Sequence, residues 1–302
     1  MTKDRAEAAA KRDAMIDAVN AMVRPDAYIL HEVIRHEGDE ELRRHGVALF
    51  LSAVAAGLSI ALSLIVPGVL KAHLPSGEWT ALITTMGYAV GFLVVVLGRQ
   101  QLFTENTITP VLPLLHDRSV KTALRLLRLW AIVLSGNILA TAAIATVLAR
   151  SDAFGPGVTA AFAEISHHAV AFPFGTTLIK AIFAGWIIAL MVWILPATGT
   201  AAPFVIFLMT WLVSMCGLAH VVAGSVEAFF LVASGTATMA EYVGKFFVPT
   251  LLGNVFGGVA LVAVLNYGQV APQVEENRDI EESQDAEKNR EMEDAASSGR
   301  DR

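Results

Sequence analysis

The 302-residue sequence predicts an all-α integral membrane protein whose six transmembrane helices form two inverted three-helix repeats, with helices 2 and 5 broken inside the membrane. Three observations predict it: an apolar excess gathered into membrane-length segments, an internal repeat, and polar interruptions at matching places in the two halves. Apolar residues make up 55% of the chain and charged residues 17%, with a mean hydropathy of +0.56. Soluble domains run at about 45–50% and about 25%. Six apolar segments, at about 46–70, 80–103, 126–149, 176–195, 203–234 and 246–267, carry the excess. Each meets the roughly 20 residues that a bilayer crossing needs.

The flanks are of a different character. Residues 1–45 form a charged, amphipathic helical segment, with Ala9, Met15, Ile16, Val19 and Met22 on one side of a helix over 3–22 that Pro25 interrupts. Residues 46–268 are the transmembrane domain. Residues 269–302 are an acidic tail, expected to be disordered because large apolar residues are almost absent. The net charge of −6 belongs to this tail, since residues 271–302 hold 11 Asp/Glu against 5 Lys/Arg. The rest is near neutral and has no basic stripe for nucleic acid. The single cysteine, Cys216, excludes an intrachain disulfide. No apolar h-region marks a cleavable signal peptide in the first 45 residues. Lys and Arg number eight between Lys3 and Arg44 and four between segments 2 and 3, against one, Lys71, between segments 1 and 2. That asymmetry puts both termini in the cytoplasm of a bacterial inner membrane.

Residues 53–65 and 181–193 align without a gap, matching Ala56 with Ala184, Gly57 with Gly185 and Ala61 with Ala189. Gly136-Asn137 in helix 3 likewise matches Gly253-Asn254 in helix 6. Three helices per half is an odd number, so the second half enters from the opposite side. Inverted repeats of this kind place a permeation site near the midplane.

The interruptions carry the candidate chemistry. Helix 2 runs into a polar cluster at 98–107, containing Leu102, Phe103, Thr104, Glu105 and Asn106. Helix 5 is interrupted at 216–225, around His220. Irregular backbone at that depth persists only where protein or a watery cavity satisfies it. At an offset of 116, Leu102 falls on Leu218 and Thr104 on His220. His220 is the only one of eight histidines deep in an apolar segment, and an ionisable residue there marks function. No metal-ligand cluster, cofactor motif or enzyme signature accompanies it.

These residues resemble the formate/nitrite transporter family over about 45–268: Leu102-Phe103-Thr104 with Asn106 in the first break, His220 in the second, Ala-Gly in helices 1 and 4, and Gly253-Asn254 with Gly257-Gly258 in helix 6. The resemblance implies an aquaporin-like fold in a homopentamer, one pore per protomer, with Thr104 in the helix 2 loop and His220 at the pore centre between apolar constrictions. The chain departs from the family pattern in having Ala219 where members have a Glu, Ala189 where they have an Asn, and Glu105 where they have a Gly. Phe172-Pro173 stands near the place of a vestibule Lys.

The expected function is therefore a membrane channel or transporter for small monovalent anions or their neutral acids. Apolar constrictions exclude bare anions by desolvation, and His220 would serve as a proton donor or an electrostatic gate. Two alternatives stand beside it: an aquaporin-like channel for neutral solutes, and a non-conducting sensor or scaffold. Glu105 is expected to pair with Arg99 or, failing that, to face the pore. Glu227 is either a partner for His220 or a vestibule residue.

Overall fold

A computed structural model describes residues 26–277. The helix expected over 3–22 and the tail from 278 onward lie outside them. The described chain is helical and contains no strand.

Helix α1 (Ala27–Arg43) begins at Asp26, whose side chain accepts the Ile29 N–H at 2.8 Å, an N-cap that satisfies one orphan donor. Helix α2 (Gly46–His73) and helix α3 (Thr80–Leu97) follow, then a short α4 (Val111–Asp117) and the long α5 (Val120–Arg150). Helix α6 (Pro156–Ser166) connects the halves. The second half comprises α7 (Phe174–Ile194), α8 (Ala202–Met215), α9 (Ala223–Ala233) and α10 (Met239–Asn277), the last with π-helical turns at Tyr242–Phe247 and Val259–Val264.

Among the described residues, five helices are long and apolar enough to cross a membrane, and the expected fifth segment is the half-helix pair α8 and α9. The second segment stops at Leu97, and α4 completes that crossing after the break. Both breaks fall where the sequence put them.

Three features differ from the sequence reading. Helix α2 is interrupted at Ile60–Ala61, where backbone bonds shorten to three-residue steps such as Ser63 N to Ile60 O at 2.9 Å. Helix α6 was not expected; Val158, Ala161 and Phe162 bury one of its faces. Helix α10 continues through 269–277, part of the stretch expected to be disordered. Val270 and Val274, one turn apart, are buried there, and Asn277 Nδ2 donates to the Tyr28 hydroxyl at 2.8 Å. That bond brings the two described ends to one face of the molecule.

The halves are built on the same close helix contacts, α2 on α5 and α7 on α10. A Cβ on Gly57 would come within 2.6 Å of the Ala140 Cβ, and one on Gly185 within 2.6 Å of the Asn254 Cα. Gly185→Ala is therefore expected to cost about 1–3 kcal/mol, the usual penalty for overpacking, and Gly57→Ala the same order. Thermal melting in detergent reads both; unchanged midpoints would contradict the packing. Outward-facing Leu124, Leu127 and Leu139 of α5 and Leu252 and Phe256 of α10 are exposed, an apolar surface that lipid or protein must cover.

Candidate functional site

The two breaks share one backbone geometry. Gln100 N bonds Val95 O and Leu218 N bonds Val213 O, both at 3.0 Å. The residue before each adopts the left-handed region, Arg99 at φ 49° and Gly217 at φ 58°. Glycine takes that conformation without cost, whereas for Arg99 it is strained.

Each loop is held by the asparagine of a Gly-Asn pair. Asn137 Oδ1 accepts the Phe103 N–H at 2.9 Å, and its Nδ2 donates to Ala53 O at 2.8 Å and Gln101 O at 2.9 Å. Asn254 Oδ1 accepts the Val221 N–H at 2.8 Å, and its Nδ2 donates to Ala181 O at 2.8 Å and Ala219 O at 3.0 Å. These bonds make Gln101 equivalent to Ala219 and Phe103 to Val221. The counterpart of His220 is thus Leu102, not Thr104, and the 116-residue register read from the letters is two residues short. Thr104 and His220 are partners rather than counterparts.

Their contact lies at the centre. His220 and Thr104 are each 1% exposed, and Thr104 Oγ1 is 2.7 Å from His220 Nε2. His220 Nδ1 accepts the backbone N–H of Ala223 at 3.1 Å. An accepting Nδ1 carries no proton, so the neutral ring holds its proton on Nε2 and donates to Thr104. A second proton would have to displace the Ala223 N–H. The Phe92 ring meets the imidazole edge-on, with centroids 5.0 Å apart.

His220 closes the inner end of a cavity of about 720 Å³ that opens between the 74–79 loop and α6, on the face opposite the described ends. The wall includes Tyr88, Phe172, Lys180, Cys216 and Glu227. Lys180 Nζ donates to Gly217 O at 2.9 Å and stands 3.9 Å from the Phe172 ring centroid. The sequence reading missed this cation. Its only signal was a lysine in an otherwise apolar helix, five residues before Gly185. At the mouth, Lys71 and Glu164 form a 2.8 Å ion pair.

Of the six residues singled out in the breaks, His220 lines this cavity and Thr104 touches it through His220. Leu102 is buried. Phe103, also buried, packs edge-on against Trp130 with ring centroids 5.8 Å apart, at the floor of an apolar groove between α5 and α10. Asn106 ties its own loop, its Nδ2 donating to Gln101 Oε1 and Leu102 O, both at 3.0 Å. Glu105 makes no ion pair with Arg99, which is exposed; its Oε1 is buried without a hydrogen-bond partner. Arg99 is exposed on a left-handed turn, whereas the Glu105 carboxyl is enclosed. Among the described residues no three His, Cys, Asp or Glu gather as a metal site.

Comparison with known proteins bears on the family and the fold. The family model described as Formate/nitrite transporter matches residues 28–268. Inner membrane protein YfdC of Escherichia coli (strain K12) is 39% identical over 262 residues, covering 87% of this chain and 84% of that one. Formate channel BtFdhC of Bacillus thuringiensis is 25% identical over 240 residues, 76% of this chain and 90% of that one. The fold is shared with a solved pentameric formate channel with formate bound (TM-score 0.61, 22% identity, 74% of this chain, 96% of that one) and with an FNT family ion channel (TM-score 0.68, 17% identity, 80% and 98%). With the family model spanning four fifths of its length, the chain belongs to the formate/nitrite transporter family, a family of transporters and channels rather than enzymes.

Proposed function

We propose that the chain is a channel or transporter for small monovalent anions of the size of formate and nitrite, which cross its narrow centre as neutral weak acids. It works as a homopentamer with one pore per protomer, in a bacterial inner membrane with both termini in the cytoplasm. The observation that carries this reading is the Thr104–His220 contact at the blind end of an open vestibule. A small acid reaching that point meets one hydroxyl and one imidazole N–H in otherwise apolar surroundings. Those two groups can replace part of its hydration, and nothing there stabilises a bare anion. Leu102, the counterpart of His220, is the apolar constriction on the other side.

Of the two roles expected for His220, the hydrogen bonding favours the gate. Its Nδ1 is occupied by a backbone donor, so it orients the solute through Nε2–H and Thr104 rather than supplying a proton. Stopped-flow uptake into proteoliposomes tests the whole reading: formate, acetate and nitrite enter faster at acidic pH, and strong-acid anions such as chloride do not follow. Equal entry of chloride would refute it.

The neutral-solute channel remains the second reading, favoured by the neutral state of His220 and by Ala219 and Ala189 standing where the family pattern has an acid and an amide. Glycerol and water permeability matching that of formate, independent of pH, would select it.

Lys180 supplies the electrostatic attraction in the first reading. One of its N–H groups serves Gly217 O, leaving two to draw an anion inward. Lys180→Met is expected to lower anion entry by about tenfold, one to two kcal/mol of lost attraction at 1.4 kcal/mol per decade, and to leave glycerol permeability unchanged. Equal losses for both solutes would show that the lysine only supports the Gly217 turn.

A further inference from the structure

The hydrogen bonds of His220 leave weak-acid permeation without a proton source at the pore centre, and the vestibule holds an acid that the scheme above does not use. Glu227 lies on α9, two helical turns beyond His220, and lines the same cavity. Among the described residues its carboxyl has no hydrogen-bond or ion-pair partner. The other charged and titratable groups facing this cavity are Lys71, Tyr88, Glu164, His168, Lys180, Cys216 and His220. Lys71 and Glu164 hold each other at the mouth. Lys180 leans on Gly217 O. Both nitrogens of His220 are engaged. Tyr88 lies on the same wall. His168 is exposed near the entrance. A structural carboxylate would be expected to have a partner. One left free, on the wall of a solvent-open chamber, suits reversible proton exchange.

Resting on the weak-acid reading, we propose that Glu227 is the proton-exchange residue of the vestibule. The protonated carboxyl gives its proton to an oxygen of the entering anion: the Glu227 O–H bond breaks and an O–H bond forms on the solute. The neutral acid then passes Thr104 and His220. The Glu227 carboxylate recovers a proton from hydronium on the vestibule side, so one proton crosses with each anion. Between turnovers the carboxylate also repels anions that cannot accept a proton. The vestibule thereby selects weak acids over strong-acid anions.

The test uses the full chain in proteoliposomes with formate as probe. Glu227→Gln cannot exchange a proton; formate entry is expected to fall at least about tenfold and to follow only the formic acid already present in solution between about pH 5 and pH 8. Glu227→Asp is expected to keep the pH dependence at reduced rate. His168→Gln is expected to keep both. The native Cys216, also on the cavity wall, gives a second readout that needs no transport. An anionic thiol reagent should react faster, relative to a cationic one, in Glu227→Gln than in the wild type at pH 8. An entry rate unchanged in Glu227→Gln, or a loss that appears with His168→Gln instead, overturns the assignment alone, as does an unchanged reagent ratio. Wild-type vesicles impermeable to formate, acetate and nitrite overturn the weak-acid reading, and this proposal with it.

Discussion

Replacing His220 with Phe is expected to cut formate entry into proteoliposomes by about ten- to a hundredfold. The ring gives a solute at the pore centre its access to a hydrogen-bond donor, Nε2–H, shared with Thr104 Oγ1 at 2.7 Å. A hydrogen bond to a charged or strongly polar group is worth about 1.5–3 kcal/mol, and 1.4 kcal/mol is a decade in rate. Phenylalanine matches the ring in size but supplies no donor, and it leaves the Ala223 N–H, now bonded to Nδ1 at 3.1 Å, without an acceptor. His220→Asn retains both a donor and an acceptor on a shorter side chain and should lose less. Neither substitution should flatten the pH profile, because the histidine is neutral and its second nitrogen is taken. Rates of His220→Phe equal to the wild type across about pH 5 to pH 8 would remove the central contact from the mechanism.

What the sequence revealed here, and what it hid, follow from different physics. The breaks were legible because polar residues inside a membrane-length apolar run are expensive and therefore conspicuous. His220 stood out for that reason, and the repeated Gly-Asn pairs marked equivalent helices. The register of the breaks was not legible. What repeats there is a backbone conformation, and side-chain identity does not follow it: Arg99 and Gly217 share a left-handed turn but no chemistry. Aligning letters gave the Thr104–His220 pairing as symmetry, when it is contact. Lys180 was hidden by its surroundings, since a long side chain in an apolar helix can carry its charge several ångströms to a polar chamber. The Glu105–Arg99 pair failed because closeness in sequence says nothing about direction once one partner sits on a positive-φ turn.

The asparagine pair allows a test of the inverted repeat that does not depend on knowing the solute. Asn137→Ala strands the Phe103 N–H and two carbonyls, and Asn254→Ala strands the Val221 N–H and two carbonyls. At about 1–3 kcal/mol for each buried group left unpaired, either variant should lose about 3–9 kcal/mol, a large share of a typical 5–15 kcal/mol. The melting midpoints in detergent should fall together. Asp at either position still accepts the amide N–H but turns a carboxylate oxygen toward two carbonyls, so it should be no better than Ala. The functional consequences should differ, however. Asn254 clasps Ala219 and Val221, the neighbours of His220, whereas Asn137 clasps Gln101 and Phe103, the neighbours of Leu102. Protein recovered from the first variant should therefore lose weak-acid entry, because the imidazole is no longer aimed. Protein from the second should leak larger neutral solutes, because an apolar constriction has loosened. If Asn254→Ala melted with the wild type, the hydrogen bonds that aim His220 would not be holding the loop, and the symmetric clasp would be only a resemblance in geometry.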